Sequence, residues 1–315
     1  MKKGIFSKTM IVAVTGLALM TSCTEVLEDS ISPYAVNDHI MFHLPEIISE
    51  PQTRGVTMAA DSLRGGFGVC CSVYPSTNSY ADNGCGTYFY KEKVIPNTVT
   101  LFPWPTSDYS LSFYAYYPYD SYAFKMLSKA LENGCPTYSY TVPTNVRLQT
   151  EVMTAQKTDV LGGEQPAVNL SFKRHCTAIK IYLTNNTDSN IFVRSVIIKG
   201  VKYSGTLHNG NWSLVNKLNS EGTNPFTLNA DRWVTKKETE DITAGKDIFL
   251  LLPQILTGMA RLRIVTKENS YECMLTGEWK AGICYHYNAE LTADGLKVYT
   301  ADIIPAEKER TTMIQ

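Results

Sequence analysis

Short runs in which apolar and polar residues alternate, each bounded by turn residues, restrict the fold of this chain more than any other feature. The chain contains 19 tyrosines, which are spread with valine, isoleucine and threonine through many runs of this kind. Such residues favour strands, and a period of two places every second side chain on the same face. In the final run one face would carry Ile283, Tyr285, Tyr287 and Ala289, and the other Cys284, His286, Asn288 and Glu290. The pattern predicts an all-β protein with turns at regular spacing.

One segment departs from this alternation. Residues 120–136 read DSYAFKMLSKALENGCP, and their apolar positions recur at helical spacing, namely Ala123, Met126, Leu127, Ala130 and Leu131. Asp120 or Ser121 would cap the start of a helix, Gly134 would follow its end, and Pro136 would block its continuation. We therefore expect one short amphipathic helix packed on the first domain.

The first 22 residues have the pattern of an export signal. Lys2 and Lys3 form a basic start, and the uncharged run 10–20 that follows is too short to span a bilayer as a helix. Small residues at 21 and 22 then precede Cys23. A cysteine at this place is typical of a bacterial lipoprotein signal, in which the thiol is acylated and the mature chain begins there. We predict that Cys23 is the lipidation site and holds the protein at a membrane.

Composition divides the remaining chain into a tether, two domains and a tail. Residues 23–38 are acidic and rich in turn residues, as expected of a tether. Turn residues also collect at 159–167, which predicts an N-terminal domain at 39–162 and a C-terminal domain at 163–305. Residues 306–315 form a polar tail. The chain is long enough for each domain to have its own core.

Two finer predictions concern the second half. Leu170, Phe172 and Cys176 share one parity, whereas Ile179 and the alternating residues after it share the other. A phase change of this kind predicts a β-bulge between residues 176 and 179. The run RLRIVTKENSYECMLTG predicts a hairpin that turns at residues 267–270.

The sequence offers little for catalysis, and we predict that the protein is not an enzyme and needs no cofactor or metal. It contains no phosphate-binding loop, dinucleotide fingerprint or nucleophile elbow. His39 and His43 on one strand would lie about 13 Å apart, too far to share a metal. Cys284 and His286 would lie about 7 Å apart along a strand, beyond the reach of nucleophile activation. The net charge of −1 gives no basic footprint for nucleic acid.

The cysteine count leaves the disulfide pattern open. Seven of the eight cysteines lie after Cys23, and an odd number cannot all pair within one chain. No C-x-x-C motif indicates a zinc or redox centre. Most of these cysteines are interpreted as small buried hydrophobic residues.

Aromatic residues offer an alternative function. Tyr114, Tyr116 and Trp104 could stack against the apolar faces of sugar rings, as aromatic side chains often do. Strands favour aromatic residues for purely structural reasons as well. The alternative to the assignment below is therefore a permanently lipid-anchored glycan-binding protein at the cell surface.

Four segments resemble those of the fimbrillin family, the pilins of type V pili. LSFKRHCTAIKIYL resembles the F-x-x-H segment that opens the second domain of these proteins, and SLSFYAYYPYD their strand ending in F-x-A-x-x-P. LLPQ followed by GEWKAGICYHYNAEL is similar to their W-x-x-G-x-x-Y-x-Y close. The resemblance extends from about Phe42 to Ile304 and keeps the order of the family.

The resemblance implies two transthyretin-like (Ig-like) antiparallel β-sandwich domains, made as a lipoprotein and carried to the outer membrane and the fimbria. In the family an arginine-specific protease removes the first strand, and a strand from another fimbrial subunit enters the groove left behind. The sequence Gln52-Thr53-Arg54-Gly55 matches the family's cleavage site, so Arg54 is the predicted maturation site. Arg64, in SLRGG, is the alternative.

The same assembly follows from physical reasoning about the first strand. The run HIMFHLPEII would fill a sheet during transit, and its loss would expose unpaired backbone groups that a donated strand could pair again. The tail AEKERTTMIQ is charged and has few apolar residues, which makes it a poor donor strand. We therefore expect a fimbrial subunit or adhesin in a tip or accessory position.

Overall fold

A computed structural model describes residues 38–48, 62–77, 86–127, 135–163, 167–245 and 247–302. The predicted export signal, the tether up to residue 37 and the tail, together with Cys23, Arg54 and Cys85, lie outside these ranges. No helix among the described residues is long and apolar enough to cross a membrane.

The described residues are built almost entirely from strands, which confirms the all-β prediction. The strands of the first half are β1 (His39–Met41), β2 (Glu46–Ile48), β3 (Phe67–Pro75), β4 (Gly86–Val94), β5 (Val99–Pro103), β6 (Tyr109–Tyr117), β7 (Phe124–Met126), β8 (Thr137–Thr141) and β9 (Met153–Leu161). Those that follow are β10 (Ser171–Arg174), β11 (Thr177–Asn185), β12 (Ile191–Lys199), β13 (Ser204–His208), β14 (Asn211–Leu214), β15 (Phe226–Val234) and β16 (Thr239–Asp241). The last are β17 (Phe249–Leu251), β18 (Gln254–Ile255), β19 (Arg261–Thr266), β20 (Ser270–Met274), β21 (Glu278–Trp279), β22 (Cys284–Thr292) and β23 (Gly295–Asp302). Within the described residues, helical structure is limited to a short helix at residues 62–64, which agrees with the expectation of one short helix in the first domain but lies elsewhere, and a 3₁₀ turn at Val146–Leu148.

The strands assemble into two layered units with separate cores. In the first unit, a six-stranded sheet has the order β2-β10-β9-β6-β3-β4, and the β1-β5 ladder lies against it. In the second unit, a sheet with the order β16-β11-β22-β23, with β17 also paired to β11, faces a four-stranded sheet with the order β15-β12-β19-β20. Most strand pairs are antiparallel, whereas β2-β10 and β11-β22 are parallel.

The helix expected within residues 120–136 is wrong where the structure describes that segment. Phe124–Met126 is strand β7, which pairs antiparallel with β8. The ring of Phe124 stacks on that of Tyr138 with centroids 4.9 Å apart. This cross-strand pairing and aromatic packing outweigh a helical spacing that only the sequence pattern favoured. Residues 128–134 lie outside the described ranges.

The phase change in the segment 170–179 has a different cause from the predicted β-bulge. Strand β10 ends at Arg174 in the first sheet, and β11 begins at Thr177 in a sheet of the second unit. The chain therefore changes sheets at residues 175 and 176, and the parity of its buried side chains changes with it. The bulge prediction is wrong, although the irregularity on which it rested is real. The hairpin predicted at residues 267–270 is confirmed, since β19 pairs with β20 around this turn.

Strands and side chains from both halves of the sequence join the two units. Strand β8 of the first half pairs with β13 of the second, forming a four-stranded sheet with the order β14-β13-β8-β7. The guanidinium of Arg147 donates to both carboxylate oxygens of Asp247, at 2.7 and 3.2 Å. The backbone N–H of Leu250 donates to the side-chain carbonyl of Gln149 at 2.8 Å. These contacts fix the orientation of one unit on the other.

The second unit contains a set of hydrogen bonds, which we call the lock, formed by Trp279, Lys280, Gly282, Tyr285 and Tyr287. Trp279 is 1% exposed, and its indole N–H donates to the hydroxyl of Tyr287 at 2.9 Å. The backbone N–H of Lys280 donates to the hydroxyl of Tyr285 at 3.0 Å. Gly282 has φ of +73° and donates its N–H to the carbonyl of Cys176 at 2.7 Å. Trp279 and Tyr287 of the closing sequence motif thus pair with each other, and Gly282 ties the motif to the crossing point, the residues at which the chain changes sheets.

His175 lies at this crossing point and is 4% exposed. Its Nε2 is hydrogen bonded to the hydroxyl of Thr154 at 2.7 Å, and its carbonyl accepts from the indole N–H of Trp212 at 2.8 Å. Burial lowers the pKa of His175 from 6.5 to about 4, because desolvation disfavours the imidazolium. The folded protein therefore holds this ring neutral.

No disulfide joins any two of the six described cysteines after Cys23: Cys70, Cys71, Cys135, Cys176, Cys273 and Cys284. Four of them, Cys70, Cys71, Cys176 and Cys284, are buried, which agrees with their interpretation as small core residues.

Removal of one hydroxyl group from the lock should lower the stability of the protein. Replacing Tyr287 with Phe leaves the buried Trp279 N–H without its acceptor and should lower the free energy of unfolding by about 1–3 kcal/mol. Chemical unfolding followed by circular dichroism measures this change. Tyr122→Phe, at a side chain that is 69% exposed, is the matched control and should be neutral. Equal effects of the two substitutions would contradict the role of the lock.

The lowered pKa of His175 should make the free energy of unfolding depend on pH. The unfolded chain binds the proton at an ordinary pKa of 6.5 and the folded chain only near 4, so stability falls as the pH falls from 6.5 towards 4. The contribution over this range is at most roughly 3 kcal/mol. Unfolding measured across these pH values should show a smaller loss in His175→Gln than in the wild type. His43→Gln, at an exposed position, should keep the wild-type slope.

Candidate functional site: the groove of the N-terminal strand

Residues 38–48, which we call the N-terminal strand, are hydrogen bonded along both edges. On one edge β1 pairs antiparallel with β5, with His39 opposite Pro103 and Met41 opposite Val99. The backbone N–H of Trp104 donates to the carbonyl of Asp38 at 2.7 Å and so extends this ladder.

The other edge of the N-terminal strand faces β10 and the residues just before it. The N–H of Val168 donates to the carbonyl of Met41 at 2.7 Å, and the N–H of His43 donates to the carbonyl of Val168 at 3.1 Å. The N–H of Glu46 donates to the carbonyl of Leu170 at 3.1 Å. Strand β2 then runs parallel to β10. The segment thus fills a gap between two parts of the chain that are distant in sequence.

Two side chains of the N-terminal strand are fully buried. Ile40 and Phe42 are both 0% exposed and belong to the core of the first unit. The ring of Phe42 meets those of Phe113 and Phe67 edge-on, with centroids 5.4 and 6.1 Å apart. The pair is two residues apart, so both side chains project from the same face of an extended chain.

Removal of the N-terminal strand would therefore leave a groove with two kinds of unsatisfied surface. The backbone groups of Trp104, Val168 and Leu170 would lose their partners, and each buried orphan is costly. The sites of Ile40 and Phe42 would become apolar hollows. A groove of this kind selects an extended peptide with apolar side chains at alternate positions.

The structure locates only one of the two predicted cleavage sites. Arg54 falls in 49–61, outside the described residues, directly after the N-terminal strand. Arg64 is exposed at the end of the helical turn 62–64, in which Gly65 and Gly66 donate their N–H groups to Ser62 and Leu63 at 3.2 and 3.1 Å. Leu63 is itself 0% exposed and packs in the same core as Phe42.

The three predicted stacking aromatics lie in different surroundings. Tyr114 and Tyr116 are both 5% exposed, so neither presents a ring face at the outer surface. Tyr116 packs against Tyr138, with ring centroids 5.4 Å apart, whereas Tyr114 borders a cavity between the units. Trp104 is half-buried and meets Phe113 edge-on at 6.0 Å. The structure therefore does not bring the three together as one surface platform.

Sequence reasoning recognised the N-terminal strand but missed both walls of its groove. Residues 99–103 alternate as a strand should, and that pattern could have identified β5. The alternation of Leu170 and Phe172 did mark β10 as a strand, but its parallel pairing with β2 was not predictable, because it joins segments that are far apart in sequence.

The structure does not indicate catalytic or metal-binding chemistry in the part of the chain that it describes. That part contains no group of three or more histidine, cysteine, aspartate or glutamate side chains that could hold a metal. Cys284 and His286 are 6% and 4% exposed, and the ring of His286 packs against Tyr182 at 5.5 Å.

Comparisons with known proteins identify a family and a fold. A model of fimbrillin-like proteins matches residues 68–305. A proposed cell adhesion protein from Bacteroides ovatus is 14% identical, with a TM-score of 0.57 over 84% of this chain and 96% of that one. A second one, from Bacteroides uniformis, is 16% identical, with a TM-score of 0.47 over 84% of this chain and 98% of that one. No curated protein matches the sequence.

The buried ring of the N-terminal strand predicts a large effect on stability. Replacing Phe42 with Ala should lower the free energy of unfolding by about 3–5 kcal/mol, because a full aromatic site is emptied. His43→Ala removes an exposed ring from the next residue and is the matched control, which should change stability by less than about 0.5 kcal/mol. Thermal and chemical unfolding measure both. A small effect of Phe42→Ala would show that the N-terminal strand does not hold the first unit together.

Proposed function

Because the chain belongs to the fimbrillin-like family, we propose that it is a surface-exposed fimbrial subunit or adhesin that assembles by strand exchange. One observation carries this proposal. The N-terminal strand is bonded on both edges and fully buries two apolar side chains, yet it connects to the rest of the fold only through residues 49–61. Cutting that connection would convert a covalent part of the subunit into a bound peptide that another strand can replace.

Arg54 is the better place for the cut. Cleavage after Arg54 would release the whole N-terminal strand and keep Leu63 in the core. Cleavage after Arg64 would require a protease to open a hydrogen-bonded turn and would also detach Leu63, which is fully buried. Proteases cut hydrogen-bonded turns less readily than extended segments, so the turn at Arg64 disfavours that site and we expect cleavage after Arg54 first.

The groove sets the chemistry of the incoming strand. The strand must run parallel to β10 and antiparallel to β5, with apolar side chains two residues apart at the sites of Ile40 and Phe42. Backbone pairing supplies strength for any sequence, and the two hollows supply register and selectivity. The partners of this subunit are therefore other fimbrial subunits that carry such a strand.

The predicted lipid anchor and the predicted cut have a definite order along the chain. Cys23 precedes the N-terminal strand, and Arg54 follows it. Acylation at Cys23 would bring the exported chain to the outer membrane, and after cleavage at Arg54 only the bound N-terminal strand would link the folded body to its lipid, until another strand displaces it. Assembly and release from the membrane would thus be one event.

A role in adhesion at the cell surface agrees with the description of the Bacteroides ovatus protein as a proposed cell adhesion protein. The charged tail 306–315 has little apolar character for use as a donor strand. We therefore propose a tip or accessory position for this subunit, in which it accepts a strand from its neighbour.

Strand exchange can be measured on the purified chain. An arginine-specific protease should cut the wild type after Arg54 and leave the N-terminal strand bound, and a fluorescent peptide of residues 38–48 should then enter the groove. A second peptide with Ala in place of Ile40 and Phe42 should bind at least about 100-fold more weakly, because two buried side chains are missing. Fluorescence anisotropy follows both peptides.

Arg54→Ala is the control for this experiment, since its N-terminal strand stays covalently attached and should block the labelled peptide. Arg64→Ala should be cut and exchanged like the wild type. Equal exchange by Arg54→Ala and the wild type, or equal binding of the two peptides, would contradict strand exchange through this groove.

A further inference from the structure

A cavity of about 270 Å³ lies where the first unit meets the second. Strands β6, β9 and β10 of the first sheet form one side, and residues 207–210 at the end of the β13 hairpin form the other. Ligand sites are common at such junctions, and their usual volume of about 300–1,000 Å³ makes this one suitable for a single small ring.

The floor of the cavity is apolar and rigid. Tyr114, Tyr138 and Leu207 are 5%, 3% and 1% exposed, so their positions are fixed by packing. His175, a polar side chain that is 4% exposed, also lines the cavity. A floor of this composition favours the C–H face of a ring over an extended polar chain.

The rim of the cavity is polar and carries a single charge. Gln156, Ser171 and Asn209 are exposed at the opening and supply amide and hydroxyl groups. Among the described residues of the lining, Lys173 is the one cationic side chain, and none carries a carboxylate. Glu46, which lies opposite Ser171 in the β2-β10 ladder, is not part of the lining. The rim thus offers several hydrogen-bonding groups and one fixed attraction for an anion.

We propose that this cavity binds a hexuronic acid residue of an acidic glycan. The sugar ring would lie on the apolar floor, its hydroxyl groups would exchange hydrogen bonds with Gln156 and Asn209, and its carboxylate would pair with Lys173. A neutral hexose has the same ring and hydroxyl groups but lacks the anion, so the lysine makes the cavity selective. The site gives a fimbrial subunit a specific ligand, which the groove of the N-terminal strand does not supply.

The described lining of the cavity includes a residue of the N-terminal strand. Ile48 of β2 forms part of its wall and lies opposite Lys173 in the β2-β10 ladder. Sugar binding can therefore be tested on an Arg54→Ala chain, in which strand exchange is blocked. Failure of the sugar site and failure of strand exchange are separate results.

The test uses saturation-transfer NMR on the Arg54→Ala chain with sodium glucuronate and galacturonate, and with glucose and galactose as neutral probes. Titration gives the dissociation constants. Three further substitutions are compared in this background. Lys173→Gln removes the cation, Ser171→Trp fills the opening from an exposed position, and Lys217→Gln removes an exposed lysine away from the cavity. Thermal melting confirms that each variant is folded.

We expect at least one hexuronate to bind at a single site and its neutral counterpart to bind about fivefold more weakly or not at all. Lys173→Gln should weaken hexuronate binding by about fivefold, the upper range for an exposed ion pair. Ser171→Trp should abolish binding, and Lys217→Gln should leave it unchanged. The proposal is overturned if neither hexuronate binds, if binding survives in Ser171→Trp, or if Lys173→Gln and Lys217→Gln behave alike.

Discussion

The insertion of Phe42 between Phe67 and Phe113 is the contact on which the first unit depends. The ring belongs to a short strand whose own ladder is brief, so the strand is held as much by its buried side chains as by its hydrogen bonds. A two-stranded ladder alone is marginal in water. The same contact explains why the strand can be both necessary and replaceable, because any strand that fills the two hollows and pairs both edges restores the core.

The second unit fixes the position of β10, which is one of the two strands that border the groove. Strand β10 passes directly into β11 through His175 and Cys176, and Gly282 binds the carbonyl of Cys176. The Trp279–Tyr287 bond and the β8-β13 ladder hold the crossing in place. The cavity lined by Lys173 lies on the same crossing, so its geometry is fixed by the same contacts.

The features that the sequence predicted are those determined by local patterns. The strand in residues 283–290 and the hairpin after β19 depend on neighbouring residues, and both are confirmed, although Cys284 and His286 on the second face of that strand are buried as well. The helix predicted around Phe124 failed because pairing with β8 and stacking on Tyr138 are contacts with residues that the local pattern does not include. The bulge predicted near Cys176 failed for a related reason, since a change of sheet and a bulge shift the parity of buried residues in the same way. The sequence predicted the strand that fills the groove, because that strand alternates clearly. It did not predict that β10 is the parallel partner, because this pairing is evident only in three dimensions.

The most direct measurement of the central claim is the mass and N-terminal sequence of the protein recovered from the surface of the cells that make it. Exchange of the N-terminal strand predicts a species that begins at Gly55 and is present in high-mass assemblies that dissociate on heating. Protein that begins only at an acylated Cys23 and is recovered only as a monomer would contradict the account.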